Sequence, residues 1–510
     1  MNRVWPSLFA LVLLACAFGV EPQDERIHLH LPVQEMVLDN GMRVLIVEKP
    51  GAPRAYCALY WRVGSVNERP GLTGLSHFFE HMMFKGTATI GTRDAARDAE
   101  LNAKIEKAME EVREIKLRRL ERSRRGLDPD PADEKREAEL KEAYTEAVKE
   151  QQEVTISEHL SKLFQANGGT ELNASTSFDV TNYFVELPSN KVELFFWLES
   201  DRFRAPVFRE FYPEREVVKE ERRMRTDSTP TGLVDEAFWA SFWESHPYSW
   251  PVIGWMSDID QYRLKDAQDY FKRHYSPQNC TAIFAGDIKA GEIKSLALRY
   301  FGRLERSAQE PDPIITQEPE QPAPKRMVAE ADSDDMIQCQ WHGPAQVHKD
   351  SAALDVLAVA LTDLTGRLHK RLVLEKKIAL GAGSYYWGLR YGGVLNCYAQ
   401  PDLEGVKDKD ARIGEVERGI YAVIEEIKDN GITDRELEKV KNKLLAGQVR
   451  QLQTLDGITS LLGYYDTVGS WKDLGAWMDG VQAVTIGQIR AVAKKYFTAN
   501  GRNVLIIKRK

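Results

Sequence analysis

Two histidines and a glutamate within five residues, His77-Phe78-Phe79-Glu80-His81, carry the most specific chemistry of this 510-residue chain. His77 and His81 are four apart, so on a helix their imidazoles leave one face and can grip a single divalent ion. Imidazole suits Zn²⁺, and a site with three protein ligands keeps a fourth position for water. Glu80 flanks the same face, where it can take a proton from a water and later hand it to a leaving group. The order H-x-x-E-H reverses the commoner H-E-x-x-H. A third ligand must come from elsewhere, and the run Glu214-Arg215-Glu216-Val217-Val218-Lys219-Glu220-Glu221 offers several. Glu214 and Glu221 are seven apart, almost two helical turns, and share a face; Glu220 points well away from it. A stacked pair of this kind can give one ligand and one carboxylate that steadies a ligand. The plainer readings are histidines that merely sit on an amphipathic helix and a glutamate-rich face that is simply solvated.

These residues need elements to hold them. Glu35–Leu38 and Met42–Glu48 flank Asp39-Asn40-Gly41, a tight-turn signal that predicts an opening hairpin. A strand-like run, Ala55–Val63, and a Gly-containing bend (Gly71, Gly74) lead into the helix bearing the His/Glu cluster. Thr181–Leu187 and Thr281–Gly286 read as strands and Val192–Arg202 as a helix. The second half repeats the style, with strands at Met336–Trp341 and Gly393–Gln400 and helices at Ser351–Leu364 and Val416–Asp429. The expected fold is α+β: two related α/β layered domains, each a mixed sheet with helices packed on it. Arg306–Arg326, with five prolines, reads as an extended connection. The expected division is an export signal at 1–21, a metal-bearing domain at 22–305, a linker at 306–327 and a second domain at 328–510.

One segment stands apart. Residues 93–163 are dense in Lys, Arg and Glu, and two apolar stripes run through them at 4-3-4-3 spacing. Leu101, Ile105, Ala108, Val112 and Ile115 form the first; Leu140, Tyr144, Ala147, Gln151 and Val154 form the second. They lie either side of a Gly/Pro break at 126–131, a pattern that predicts a long antiparallel helical hairpin. Each arm would extend on the order of 40 Å. It reads as a solvated spacer, with a docking arm or lid as the other possibility.

Composition sets further bounds. With 43% apolar and 29% charged residues the chain is globular, and its net charge of −8 argues against nucleic acid as its partner. Residues 1–21 read as an export signal, from a polar start through an apolar run to Ala15-Cys16-Ala17. Leu13-Leu14-Ala15-Cys16 is also an imperfect lipoprotein motif, in which Cys16 would carry a lipid. The expected location is therefore the periplasm or cell envelope, with secretion as an alternative. Cys57, Cys280, Cys339 and Cys397 lack CxxC spacing, so a cysteine metal site is not expected, while disulfides and buried thiols both stay open.

With these residues in view, the chain resembles the pitrilysin/insulysin-type inverzincin metallopeptidases, and among them the short bacterial members related to the mitochondrial processing peptidase. The resemblance runs from about Met36 to the C-terminus, apart from the charged hairpin. Leu38–Val44 resembles the opening hairpin of that family, and Gly74–Thr87 (GLSHFFEHMMFKGT) its active-site stretch. Gly168-Gly169 with Asn173-Ala174-Ser175-Thr176 resembles its substrate-side edge strand. Glu214 to Glu221 resembles its third-ligand helix, and His246-Pro247-Tyr248 with Pro251–Gly254 a further segment. The resemblance implies a zinc endopeptidase with one Zn²⁺ per chain. His77, His81 and Glu221 would be the ligands, Glu80 the general base and Glu214 the supporting carboxylate. An extended peptide would pair with the strand bearing Asn173, Ala174, Ser175 and Thr176. His81 and Glu221 are 140 residues apart, far more than most members show, and the charged hairpin accounts for the excess as an insertion.

There is also a departure. Active members carry an Arg and a Tyr, seven residues apart, in a later domain, where they position substrate and stabilise the oxyanion. The matching positions here are Val373 and Leu380, neither of which has a donor; Arg371, Tyr385 and Tyr386 lie nearby but out of register. The resemblance therefore implies a related subunit that supplies the pair in a two-part clamshell, with a homodimer as the alternative. A non-catalytic assembly or scaffold subunit of an envelope complex is the competing expectation.

Overall fold

A computed structural model describes residues 31–362 and 364–510. The proposed export signal and Cys16 lie outside these residues. The chain builds two mixed sheets. The first orders its strands β1-β2-β6-β3-β5-β4: β1 (Val33–Val37), β2 (Arg43–Glu48), β3 (Arg54–Trp61), β4 (Thr170–Thr176), β5 (Thr181–Pro188) and β6 (Cys280–Gly286). The second runs β7-β11-β8-β10-β9: β7 (Lys325–Ala331), β8 (Met336–Gly343), β9 (Ala379–Gly388), β10 (Gly393–Pro401) and β11 (Asn503–Arg509). In each sheet one pair is parallel, β2 with β6 and β7 with β11, and the others are antiparallel. The expected α+β architecture of two layered units is the one observed.

The site-bearing helix α1 (Leu75–Met82) follows from its apolar spacing. Leu75, Phe78, Phe79 and Met82 are all buried, and Phe78 and Phe79 pack on Phe211, Tyr262, Tyr270 and Tyr275. Its start is fixed by two devices. Gly74 has φ +85°, and a Cβ there would lie 2.3 Å from the Ile253 carbonyl oxygen, so glycine is required. The Glu68 carboxylate accepts the N–H groups of Gly74 (2.6 Å) and Ser76 (2.7 Å), which the helix itself leaves unpaired. Burial pushes Glu68 up to about 8, although these bonds pull the other way.

The charged segment is a helical hairpin, α2 (Ala95–Arg124) and α3 (Pro131–Val154), followed by the short α4 (His159–Ala166) and, after β5, by α5 (Val192–Arg204). Leu101, Ile105, Ala108, Val112 and Ile115 are buried against the other arm and the body, as their spacing predicts. The second arm ends at Val154, short of the expected 163, because Thr155 turns extended to bridge Thr92; Glu158, at a left-handed φ of +54°, then starts a new helix. The feet of the hairpin meet: Thr92 and Thr155 form an antiparallel bridge, Arg93 N donates to Val154 O (2.8 Å) and Ile156 N to Gly91 O (2.9 Å). Arg209, 1% exposed, clamps these feet to the end of the Gly74–Thr87 stretch. Its guanidinium bonds Asp98 on α2 (2.8 and 2.7 Å) and the carbonyls of Lys85 (2.6 Å) and Thr87 (3.1 Å).

The two sheets are joined through helix Leu455–Val468. Its Ile458 and Leu462 pack on Leu45, Val47, Ala58, Tyr60, Ile283 and Ala285 of the first sheet. Asp466 on the same helix is buried against Arg43, Arg62 and Thr281. The turn between β9 and β10 also docks on the first unit: Arg390 N donates to Asp179 (3.0 Å), and Tyr248 O–H to the other Asp179 oxygen (2.7 Å). All four cysteines among the described residues are buried free thiols, and no described helix is long and apolar enough to cross a membrane.

Removing the Arg209 guanidinium strands Asp98 in the interior. Arg209→Ala is expected to lose about 3–5 kcal/mol of stability, measured by denaturant unfolding.

Candidate metal centre

Helix α1 faces α6 (Phe211–Arg222), and their facing side chains make a donor set. His81 Nε2 lies 3.1 Å, and His77 Nε2 3.7 Å, from Glu221 Oε2. Ligands at about 2.0–2.1 Å around a tetrahedral zinc sit roughly 3.3 Å apart, so the spacing fits such an ion. Among the described residues His77, His81 and Glu221 are the one group of three such residues whose donor atoms lie this close, within 4.8 Å of one another. Burial, helped by the nearby His81 and Arg225, lowers His77 to about 3, which keeps its imidazole neutral and its lone pair available.

Glu214 sits behind this group. It accepts the His81 Nδ1–H bond (2.9 Å) and pairs with Lys85 Nζ (2.6 Å). That bond fixes the His81 tautomer with its Nε2 lone pair toward Glu221. Burial opposes ionisation of Glu214, but His81 and Lys85 outweigh it and hold its carboxyl below the ordinary range. Burial likewise disfavours a charged His81, yet the bond to Glu214 and the charges of Glu214, Glu221 and Glu80 raise it.

Glu80 stands beside the donors and accepts a bond from Thr176 Oγ1 (2.7 Å) on β4. Burial raises the Glu80 carboxyl, partly offset by that bond. β4 is the edge of its sheet, pairing on one side with β5 in the register Asn173↔Phe184, Ala174↔Tyr183, Ser175↔Asn182 and Thr176↔Thr181. Ala174 is buried and Asn173 and Ser175 are exposed, so the strand offers a free backbone edge beside Glu80. A cavity of about 460 Å³ opens there, lined by Glu80, His81, Phe84, Lys85, Asn173 and the hairpin exit Thr155–Ser161.

The sequence-named residues of α1, α6 and β4 thus lie together, while Glu220 points outward and pairs with Arg223 (2.8 Å). Val373 is half-buried against the second core and Leu380 is exposed; Arg371 is spent on Glu426 (2.8 Å) and Tyr386 on the Pro344 carbonyl (2.8 Å). Sequence reasoning leaves out Lys85 and Arg225, the latter in an ion pair with Glu221 Oε1 (2.9 Å). Their signal is simple: each stands four residues beyond a donor, His81 or Glu221, one helical turn on.

Fold and site together define a class, the layered α+β proteins that carry an inverted His/Glu metal motif on a helix beside an edge strand. The chain belongs to peptidase family M16. The family profile described as "Insulinase (Peptidase family M16)" matches residues 43–113 and 136–254, and the one described as "Peptidase M16 inactive domain" matches 262–444. The gap at 114–135 is the outer end of the helical hairpin, narrower than the whole arm. Among relatives, the zinc protease PqqE of Helicobacter pylori is 26% identical over 94% of each chain. The uncharacterized zinc protease YmxG of Bacillus subtilis is 21% identical over 93% of this chain and 98% of its own. A solved protease from Helicobacter pylori superposes with a TM-score of 0.74 at 24% identity, covering 94% of this chain and 100% of that one. The periplasmic protease PqqL from Escherichia coli gives 0.67 at 17% identity, and this chain spans 48% of it.

In zinc titrations against a competing chelator, Glu221→Ala is expected to abolish tight binding. Glu214→Ala is expected to weaken it about 10–100-fold, the usual effect of freeing a ligating histidine.

Proposed function

We propose that this chain is a zinc-dependent endopeptidase acting on peptides or unfolded protein segments in the periplasm or cell envelope. The observation that carries the proposal is the approach of His77 Nε2, His81 Nε2 and Glu221 Oε2 with Glu80 beside them. The naming of PqqE and its relatives as zinc proteases supports it. One Zn²⁺ in this donor set would act as a Lewis acid and acidify a water. Glu80 takes the proton of the attacking water and delivers it to the leaving amine. Thr176 aims Glu80, Glu214 holds His81, and substrate backbone pairs with Asn173–Thr176, which gives affinity with little demand on sequence. The division into a metal-bearing unit at 22–305, a linker at 306–327 and a second unit at 328–510 belongs to the same proposal, as do the export signal and a possible lipid on Cys16.

A related subunit supplying an Arg/Tyr pair is part of this reading, because Val373 and Leu380 have no donors to offer; a homodimer is the alternative arrangement. The match of residues 262–444 to a domain described as inactive favours a second reading, a non-catalytic assembly or scaffold subunit. Glu80→Gln separates the two. It is expected to retain zinc and lose hydrolysis of an unstructured peptide by about 10²-fold or more; undiminished turnover would sink the endopeptidase reading. Assays of the zinc-loaded chain alone are expected to give slow turnover that rises when a related subunit is added. Full turnover without one removes the need for a partner.

A further inference from the structure

Arg225 is the site's unassigned cation. It lies in a π-helical turn, Arg223–Asp227, that directly continues α6, one turn beyond Glu221 on the same face. One carboxylate links it to the donor set: Glu221 Oε2 faces the two imidazoles, and Glu221 Oε1 forms an ion pair with Arg225 Nη1 at 2.9 Å. The guanidinium therefore lies against the far oxygen of the carboxylate whose near oxygen faces the candidate metal position. Its charge reaches inward, acting on both His77 and Glu80. Its side chain is 72% exposed, and Glu221 is its one ion-pair partner among the described residues, so the rest of the guanidinium is open to solvent at the rim of the donor set. An i,i+4 ion pair whose arginine is this exposed contributes only about 0.3–0.5 kcal/mol, too little to explain the residue by stability alone.

We propose that Arg225 is a catalytic residue that donates to the scissile carbonyl oxygen as negative charge develops on it, a donor within this chain that Val373 and Leu380 do not provide. The inference rests on the endopeptidase reading. When water adds to the carbonyl carbon, the C=O π pair moves onto oxygen and Glu80 takes one water proton. The guanidinium N–H groups bind that oxygen more strongly than they bound the neutral carbonyl, which lowers the barrier. On collapse the pair returns, the C–N bond breaks, and the amine leaves with the proton from Glu80. A subunit bearing an Arg/Tyr pair would add to this donor, not replace it.

The test compares zinc-loaded wild type, Arg225→Ala, Arg225→Lys and Glu80→Gln on an unstructured peptide, in the assembly that turns it over. Melting temperature and zinc retention against a chelator are measured on each. Arg225→Ala is expected to lower kcat about 10²-fold, with KM, melting temperature and zinc retention unchanged, and Arg225→Lys to recover part of the loss. Wild-type kcat in Arg225→Ala beside an inactive Glu80→Gln overturns the role of Arg225 and leaves the endopeptidase standing. A rise in KM alone, or a loss of zinc retention, also overturns it, making Arg225 a ground-state contact or a holder of Glu221. Activity in Glu80→Gln, or a wild type that hydrolyses nothing alone or with a partner, overturns the endopeptidase itself.

Discussion

Everything at the site depends on keeping two helices, distant in sequence, face to face. α1 brings two imidazoles and α6 two carboxylates, and neither helix makes a donor set alone. Burying these groups is costly unless each has a partner. The cost is met by a chain of pairs: Lys85 with Glu214, Glu214 with His81, His81 with Glu221. Each member is oriented by the next. The aromatic packing of Phe78 and Phe79 beneath α1 sets its depth, and Glu68 fixes where it begins. A rigid core thus holds a polar arrangement that would otherwise drift.

Much of this is legible in the residue spacing itself. A spacing of four puts His77 and His81 on one face of any helix, and a spacing of seven does the same for Glu214 and Glu221 while turning Glu220 away. Those are properties of the helix itself. The hairpin was legible too, since its apolar stripes and Gly/Pro break are local signals. What the residue pattern could not supply was the distance between elements. The pairing of Glu80 with Thr176 spans 96 positions and depends on how β4 lies over α1. Helix ends were also poorly marked. Ser351–Leu364 stops at Leu361, where Thr362 turns extended and Gly366 packs close against its carbonyl.

The second sheet takes part without contributing a donor. Helix Leu455–Val468 lies across β3 and β6, and Asp466 draws in two arginines of the first unit. The turn between β9 and β10 reaches Asp179, three residues beyond Thr176. Burial raises Asp179 to about 6, against the pull of its bonds to Arg390 N and Tyr248. The end of the edge strand is therefore anchored from both halves of the chain.

The feet of the helical arm have a consequence for how this chain can change. Because residues 91–93 and 154–156 are bonded to each other, the path out and the path back begin at one place. Farther out the arms still lean on the helix that carries Glu221, Glu106 through Tyr212 (2.7 Å) and Lys116 through Asp260 (2.7 Å), which in turn holds Lys219. Only the tip beyond Lys116 is clear of these contacts, and there the projection can lengthen or shorten with little disturbance of the chemistry at its base.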